Sequence, residues 1–177
     1  LRCQTQPRQQ PRAATVIMAE LVKLTDIIAP AFYPVFWDVQ TGKHTYYDLY
    51  GGRGSTKSSF VAAAIVLGMM QDPKAYAAVF RKVASTISTS VYEQVLWAID
   101  VLGVSHFWRC TSSPLKMTYI PTGQVIIFRG LDKAKKLKSL KVANGYFKFL
   151  WFEELDEFSG EEEIRSVQQS VLRGGSK

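Results

Sequence analysis

The feature that most restricts this chain is a glycine-rich turn, Gly51-Gly52-Arg53-Gly54-Ser55-Thr56, that runs directly into Lys57-Ser58-Ser59 and a long apolar stretch. Glycines let several backbone N–H groups converge on one point, and a helix starting there adds positive potential, so the combination builds a cradle for phosphate oxygens. The preceding Thr45–Tyr50 run is β-prone, and Ser58–Gln71 is apolar at nearly every position, which predicts a strand, a loop and a buried helix. A chain with such a unit at residue 50 is expected to fold around a sheet with helices packed on it.

Against the template G-x-x-x-x-G-K-[ST], residues Gly51–Ser58 match at every position except Thr56, which stands in place of the second glycine. That position often needs a backbone conformation that a β-branched residue adopts reluctantly. Gly51, Gly52, Arg53, Gly54, Ser55, Thr56, Lys57, Ser58 and Ser59 are the candidate nucleotide-binding set. Lys57 is expected to hold the β- and γ-phosphates of ATP, and the Ser58 hydroxyl to ligate Mg²⁺.

Strand and helix signals alternate along the rest of the chain. Ala19–Ile28 has the apolar spacing of a short helix, ended by Pro30 and Pro34, and the aromatic stretch Phe32–Trp37 is expected to cross the nucleotide end of the sheet. Ala75–Arg81 reads as a buried strand and Thr86–Leu102 as a helix with Val91, Val95, Ile99 and Leu102 on one face. Phe107–Thr111, Lys116–Ile120 and Gln124–Arg129 read as strands, the last two joined at Pro121-Thr122-Gly123 as a hairpin. Tyr146–Phe152 is an apolar strand, and Gly160–Leu172 a helix whose acidic first turn suits the positive end of its dipole. The expected fold is α/β: a three-layer P-loop nucleotide-triphosphatase domain with a mainly parallel sheet and a β-hairpin insertion.

The acidic complement to the loop is Glu153-Glu154, at the end of the strand Tyr146–Phe152. Open α/β sheets bind ligands at the carboxyl ends of their strands. Glu153 is expected to contact Mg²⁺, and Glu154 to orient and deprotonate the attacking water. Successive strand residues point to opposite faces, so a turn after Phe152 has to redirect one of the two.

With 177 residues, 47% of them hydrophobic, the chain suits a single domain able to bury a substantial core. Residues 1–17, rich in Gln, Arg and Pro, are expected to be a disordered basic extension, with Met18 opening the patterned domain 18–177. The two cysteines, Cys3 and Cys110, lack metal-ligand or disulfide-framework spacing, and no segment reads as a signal peptide or membrane span. The net charge of +7 raises the odds of a polyanionic partner. Lys133, Lys135, Lys136, Lys138 and Lys141 crowd one segment that suits either sequence-indifferent neutralisation of nucleic-acid phosphates or a solvated lysine-rich loop.

Taken in order, Gly51–Ser58, Phe80-Arg81-Lys82, Ser90-Val91, Gly123 with Ile126–Asp132, Lys138-Ser139 and Leu150–Glu154 resemble the large terminase subunit of tailed bacteriophages. The resemblance covers about Tyr46 to Arg173. It implies an Mg²⁺-dependent ATPase that drives double-stranded DNA into a procapsid, in the cytoplasm of an infected bacterium. The implied partners are the portal protein, the small terminase subunit and further copies of the chain in a ring. It also makes Arg53 a candidate for stabilising charge on the transferring phosphate, Arg81 a second candidate arginine, and Tyr46 and Tyr47 candidates for the adenine side. Nuclease activity is not expected, because no later Asp/Glu cluster suits a two-metal site. The residues alone also suit another RecA-like motor of helicase type, or a prophage remnant that folds without turnover.

Overall fold

The computed structural model describes residues 22–131, 140, 142 and 144–172. Its four helices among these are α1 (Tyr33–Thr41), α2 (Lys57–Gln71), α3 (Val91–Val101) and α4 (Glu161–Leu172). The strands are β1 (Ala75–Arg81), β2 (Trp108–Ser112), β3 (Leu115–Tyr119), β4 (Val125–Gly130) and β5 (Tyr146–Phe152). They form one sheet in the order β2-β3-β4-β1-β5.

The sheet is mixed rather than mainly parallel. β1 lies parallel to β4 and to β5, whereas β2–β3 and β3–β4 are antiparallel. The cause is local: Pro121-Thr122-Gly123 reverses the chain, with the Gly123 N–H donating to the Tyr119 carbonyl and the Tyr119 N–H to Gln124. Each short reversal imposes antiparallel pairing, so the β2–β3–β4 meander builds one edge of the sheet and parallel β5 the other.

Helices pack on both faces. On one side, α2 and α3 bury Ile65, Val66, Met69, Val95 and Ile99 against Ala77, Val79, Met117, Ile126 and Phe128. On the other, Ile164, Val167 and Val171 of α4 cover Ala78, Phe80 and Phe147. The apolar character of α2 on all sides follows from its place between the sheet and α1, where Phe36 and Ile28 meet Phe60 and Ala63. Gly68 lets α2 approach β5 closely, since a Cβ there would strike the Phe149 ring.

Four expectations need correction. Thr45–Tyr50 is irregular rather than a strand, with Tyr46 and Tyr50 strongly exposed. Asp38 explains part of this: it accepts hydrogen bonds from His44 and the Tyr47 hydroxyl, tying the segment to α1 instead of a strand neighbour. Slight burial raises the Asp38 pKa, but those bonds outweigh it and hold the carboxyl below its ordinary value. The described part of Ala19–Ile28 contains only a single 3₁₀ turn, Leu24–Asp26. Phe32–Trp37 packs on α2 instead of across the sheet end, with Phe32 stacked on Phe60 at 4.6 Å. Finally α3 starts at Val91, after a separate 3₁₀ turn at Ala84–Thr86. Residues 1–17, with the extension expected there, lie outside the described residues.

Candidate functional site

The glycine-rich loop and the acidic strand end meet at the carboxyl edge of the sheet. The Ser58 hydroxyl, in the first turn of α2, donates a 2.7 Å hydrogen bond to Glu153 Oε1 across 95 residues of sequence. Two backbone paths make this possible. β5 runs parallel to β1 and ends beside it, where the Glu153 N–H donates to the Phe80 carbonyl. α2 begins at Lys57, directly after the loop.

The loop folds around the lysine. Lys57 Nζ donates to the Gly51 carbonyl, to Ser55 Oγ at 2.8 Å and, more distantly, to the Gly52 carbonyl. A cation inside a turn of glycines satisfies loop carbonyls and keeps positive charge at the centre of the cradle. Thr56 takes φ 60° and ψ 16°, a left-handed conformation of the kind a β-branched residue adopts reluctantly. Its hydroxyl donates to the Ser55 carbonyl. Gly54, at φ 79°, shares the left-handed region. Gly51, Gly52, Arg53 and Gly54 are exposed, Ser55 and Ser58 half-buried. Ser59 faces α3, where its hydroxyl accepts from Gln94 Nε2 at 3.2 Å.

The turn needed to separate the two acids is present. Glu154 adopts φ 55° and ψ 65°, the second non-glycine residue in the left-handed region, and opens the 3₁₀ turn Leu155–Glu157. Such a conformation costs on the order of 1–3 kcal/mol and concentrates where function demands it. Its effect is geometric: Glu153 stays on Ser58 while Glu154 is free to face solvent. Ser58, Ser59, Glu153 and Glu154 all line one open cleft of about 680 Å³.

Sequence reasoning missed the far wall of that cleft. Thr89, Ser90, Glu93, Gln94 and Trp97 line it from α3 and the residues before it. Their signal was present: positions 90, 93, 94 and 97 fall at helical spacing on one stripe, apart from the apolar Val91, Val95 and Ile99. Arg81 also lines the cleft, at the end of β1. It pairs with Glu157 at 3.2 Å, while its buried Nε has no partner among the described residues. Beside it, Lys82 Nζ bonds both oxygens of Glu163, at 2.6 and 2.8 Å, and the Ser159 hydroxyl. Partial burial raises the Glu163 pKa, but Lys82 and the Ser159 N–H outweigh it and hold the carboxyl below its ordinary value.

Arg53 lies exposed on the loop, and Tyr46, proposed for the adenine side, is largely in solvent. Lys133, Lys135, Lys136, Lys138 and Lys141 lie outside the described residues. No helix among the described residues is long and apolar enough to cross a membrane.

Residues 43–176 match the model of the family described as phage terminase large subunit. The terminase large subunit of Bacillus phage SPP1 is 45% identical over 152 residues, which cover 86% of this chain and 36% of that protein. The PBSX phage terminase large subunit of Bacillus subtilis (strain 168) is 34% identical over 132 residues, 74% of this chain and 29% of that one. The chain thus spans about a third of the length of these curated relatives. A match that runs from just before the phosphate-type loop through the acidic strand end to α4 is more than half the chain, and the chain belongs to the phage terminase large-subunit family.

Proposed function

We propose that this chain is the ATP-hydrolysing motor domain of a phage DNA-packaging terminase, of the three-layer P-loop class. The observation that carries the reading is the Ser58–Glu153 hydrogen bond, which joins the two halves of a nucleotide site that are 95 residues apart in sequence. A lysine already inside the glycine loop, and a second carboxylate beside the first, complete the set.

The donor set fits Mg²⁺–ATP. A serine hydroxyl and a carboxylate oxygen are hard oxygen ligands of the kind Mg²⁺ takes alongside phosphate and water. Ser58 and Glu153 would hold the ion, which when bound neutralises charge on the phosphate oxygens. Lys57 exchanges its loop carbonyls for β- and γ-phosphate oxygens, and Arg53, exposed on the loop, neutralises charge that develops on the transferring group. Glu154 accepts a proton from the attacking water as its oxygen bonds to the γ-phosphorus and the bond to the ADP oxygen breaks. The left-handed turn at Glu154, with Glu153 as the partner of Ser58, supports this role by leaving the Glu154 carboxylate uncommitted to Ser58.

In the reading proposed, hydrolysis moves double-stranded DNA into a procapsid in the cytoplasm of an infected bacterium. The portal protein, the small terminase subunit and a ring of copies are the partners, with Lys133, Lys135, Lys136, Lys138 and Lys141 gripping the DNA backbone. Family membership and the net charge of +7 support this part. Titration with a fluorescent ATP analogue, with and without Mg²⁺, tests the site. Mg²⁺ should tighten binding, and Lys57→Ala should abolish it; equal affinity in wild type and variant would remove the loop from the site.

A further inference from the structure

The antiparallel part of the sheet has an unusual charge distribution. From Val101 to Leu131 the sequence holds no Asp or Glu, and its Arg and Lys residues are Arg109, Lys116 and Arg129. Register puts all three on one face. Arg109 is paired with Thr118, and Thr118 with Val125; Lys116 is paired with Thr111 and Ile127. Directly paired residues share a face, and residues two apart on a strand do too, so Arg129 joins Val125 and Ile127 on that side. The opposite face carries Trp108, Met117, Ile126 and Phe128 against α2 and α3.

Among the described residues the basic face is exposed at Arg109 and Arg129 and half-buried at Lys116. On that side α4, Leu140 and Val142 join the apolar cluster over β1 and β5, which on β4 includes Ile127. Among the described residues no helix covers β2 or β3 there. From strand spacing and rise, Arg109, Lys116 and Arg129 form a diagonal with steps of roughly 8 Å. The line starts at the hairpin edge and ends at the carboxyl end of β4, where Gly130 pairs with Arg81, a residue of the nucleotide cleft.

We propose that this sheet face, through Arg109, Lys116 and Arg129, is a docking surface for the phosphate backbone of duplex DNA. Charge complementarity identifies the occupant: three cations with no carboxylate between them, interleaved with Thr118, whose hydroxyl suits a phosphate oxygen. No base-reading element is required, which suits a partner held irrespective of sequence. The proposal deepens the DNA-moving reading above and adds contacts distinct from the lysine segment 133–141. It also places the grip on the strand whose end borders the nucleotide cleft.

Equilibrium binding of 30-base-pair duplexes of unrelated sequence, followed by fluorescence anisotropy over a series of KCl concentrations without nucleotide, tests it. Each lost phosphate contact should flatten the slope of log K against log salt by about 0.9. The triple variant Arg109→Gln/Lys116→Gln/Arg129→Gln should therefore lose roughly 2.7 from the slope. The charge-conserving Arg109→Lys/Arg129→Lys variant should keep the wild-type slope. Its far-ultraviolet circular dichroism and that of the triple variant should match wild type. A triple variant with wild-type slope and affinity overturns the proposal. So does one that keeps DNA binding but loses affinity for phosphatidylserine vesicles, or that keeps DNA binding but changes oligomeric state. Binding of the ATP analogue, measured separately, reports on the nucleotide site, so failure of either reading is visible alone.

Discussion

Ser58 Oγ lies 2.7 Å from Glu153 Oε1, one residue at the start of the helix after the glycine loop and the other at the end of the outermost parallel strand. That single contact requires α2, β1 and β5 to be assembled correctly, and it brings a hydroxyl and a carboxylate to the point where an Mg²⁺–nucleotide would need both. Ser58→Ala should weaken Mg²⁺-dependent nucleotide binding at least about tenfold while altering Mg²⁺-free binding much less. Calorimetric titration at several Mg²⁺ concentrations measures this, and an equal loss in both conditions would assign Ser58 a purely structural part.

Thr56 holds a left-handed conformation that costs a non-glycine residue roughly 1–2 kcal/mol. Glycine there removes that strain but adds freedom to the unfolded chain, by about 0.4–1 kcal/mol. Thr56→Gly should therefore raise stability by up to about 1.6 kcal/mol in urea denaturation, and nucleotide affinity should rise rather than fall. Destabilisation beyond about 1 kcal/mol would show that the threonine side chain itself is needed.

Gln124 is the fully buried polar side chain among the described residues, and it works as a clamp. Its amide nitrogen faces the carbonyls of Met69, Asp72 and Ala75, so it ties the end of α2 to the start of β1. Gln124→Leu orphans buried carbonyls at about 1–3 kcal/mol for the group. A loss of about 2–4 kcal/mol in chemical denaturation is expected; a change below about 0.5 kcal/mol would mean that water or a local shift satisfies them.

Asp72 and Glu163, besides Asp38, make the fold acid-sensitive. Burial raises the Asp72 pKa, but hydrogen bonds from Tyr146, the Lys74 N–H and Lys148 outweigh it, and Glu163 is likewise held low by Lys82 and Ser159. Both folded-state values lie below those of the unfolded chain. Their stabilisation is therefore complete above the ordinary carboxylate range and is lost as pH falls through the depressed values. Thermal melting temperature should decline on acidification through that range, and the decline should be shallower in Glu163→Gln. A variant with an unchanged pH profile would contradict the assignment.

Much of this arrangement was legible in the residues because it depends on local pattern. β1 and β5 span the predicted limits, and α2 starts one residue early, since continuous apolar runs bounded by Gly, Pro and charge leave little choice. That Thr56 would sit in a backbone conformation awkward for its side chain followed from the template position, and the left-handed region is where it lies. Thr45–Tyr50 was misread because β-propensity measures fit to a neighbouring strand, and its polar groups instead bond to Asp38 of α1. The Ser58–Glu153 pairing was implied by chemistry, but the Arg81–Glu157 and Lys82–Glu163 bridges were not. They join segments about 80 residues apart through side-chain reach, which no spacing rule encodes. The basic face was hidden for a similar reason: Arg109, Lys116 and Arg129 are dispersed in sequence and converge only through strand register.

The most direct test of the central claim is steady-state ATP hydrolysis, with duplex DNA present, by the wild-type protein, Lys57→Ala and Glu154→Gln, alongside ATP binding by each. Lys57→Ala should lose both binding and turnover. Glu154→Gln should bind ATP as wild type does yet hydrolyse it at least about a hundredfold more slowly, the scale of a lost general base. Wild-type turnover in Glu154→Gln, or in Lys57→Ala, would contradict the account.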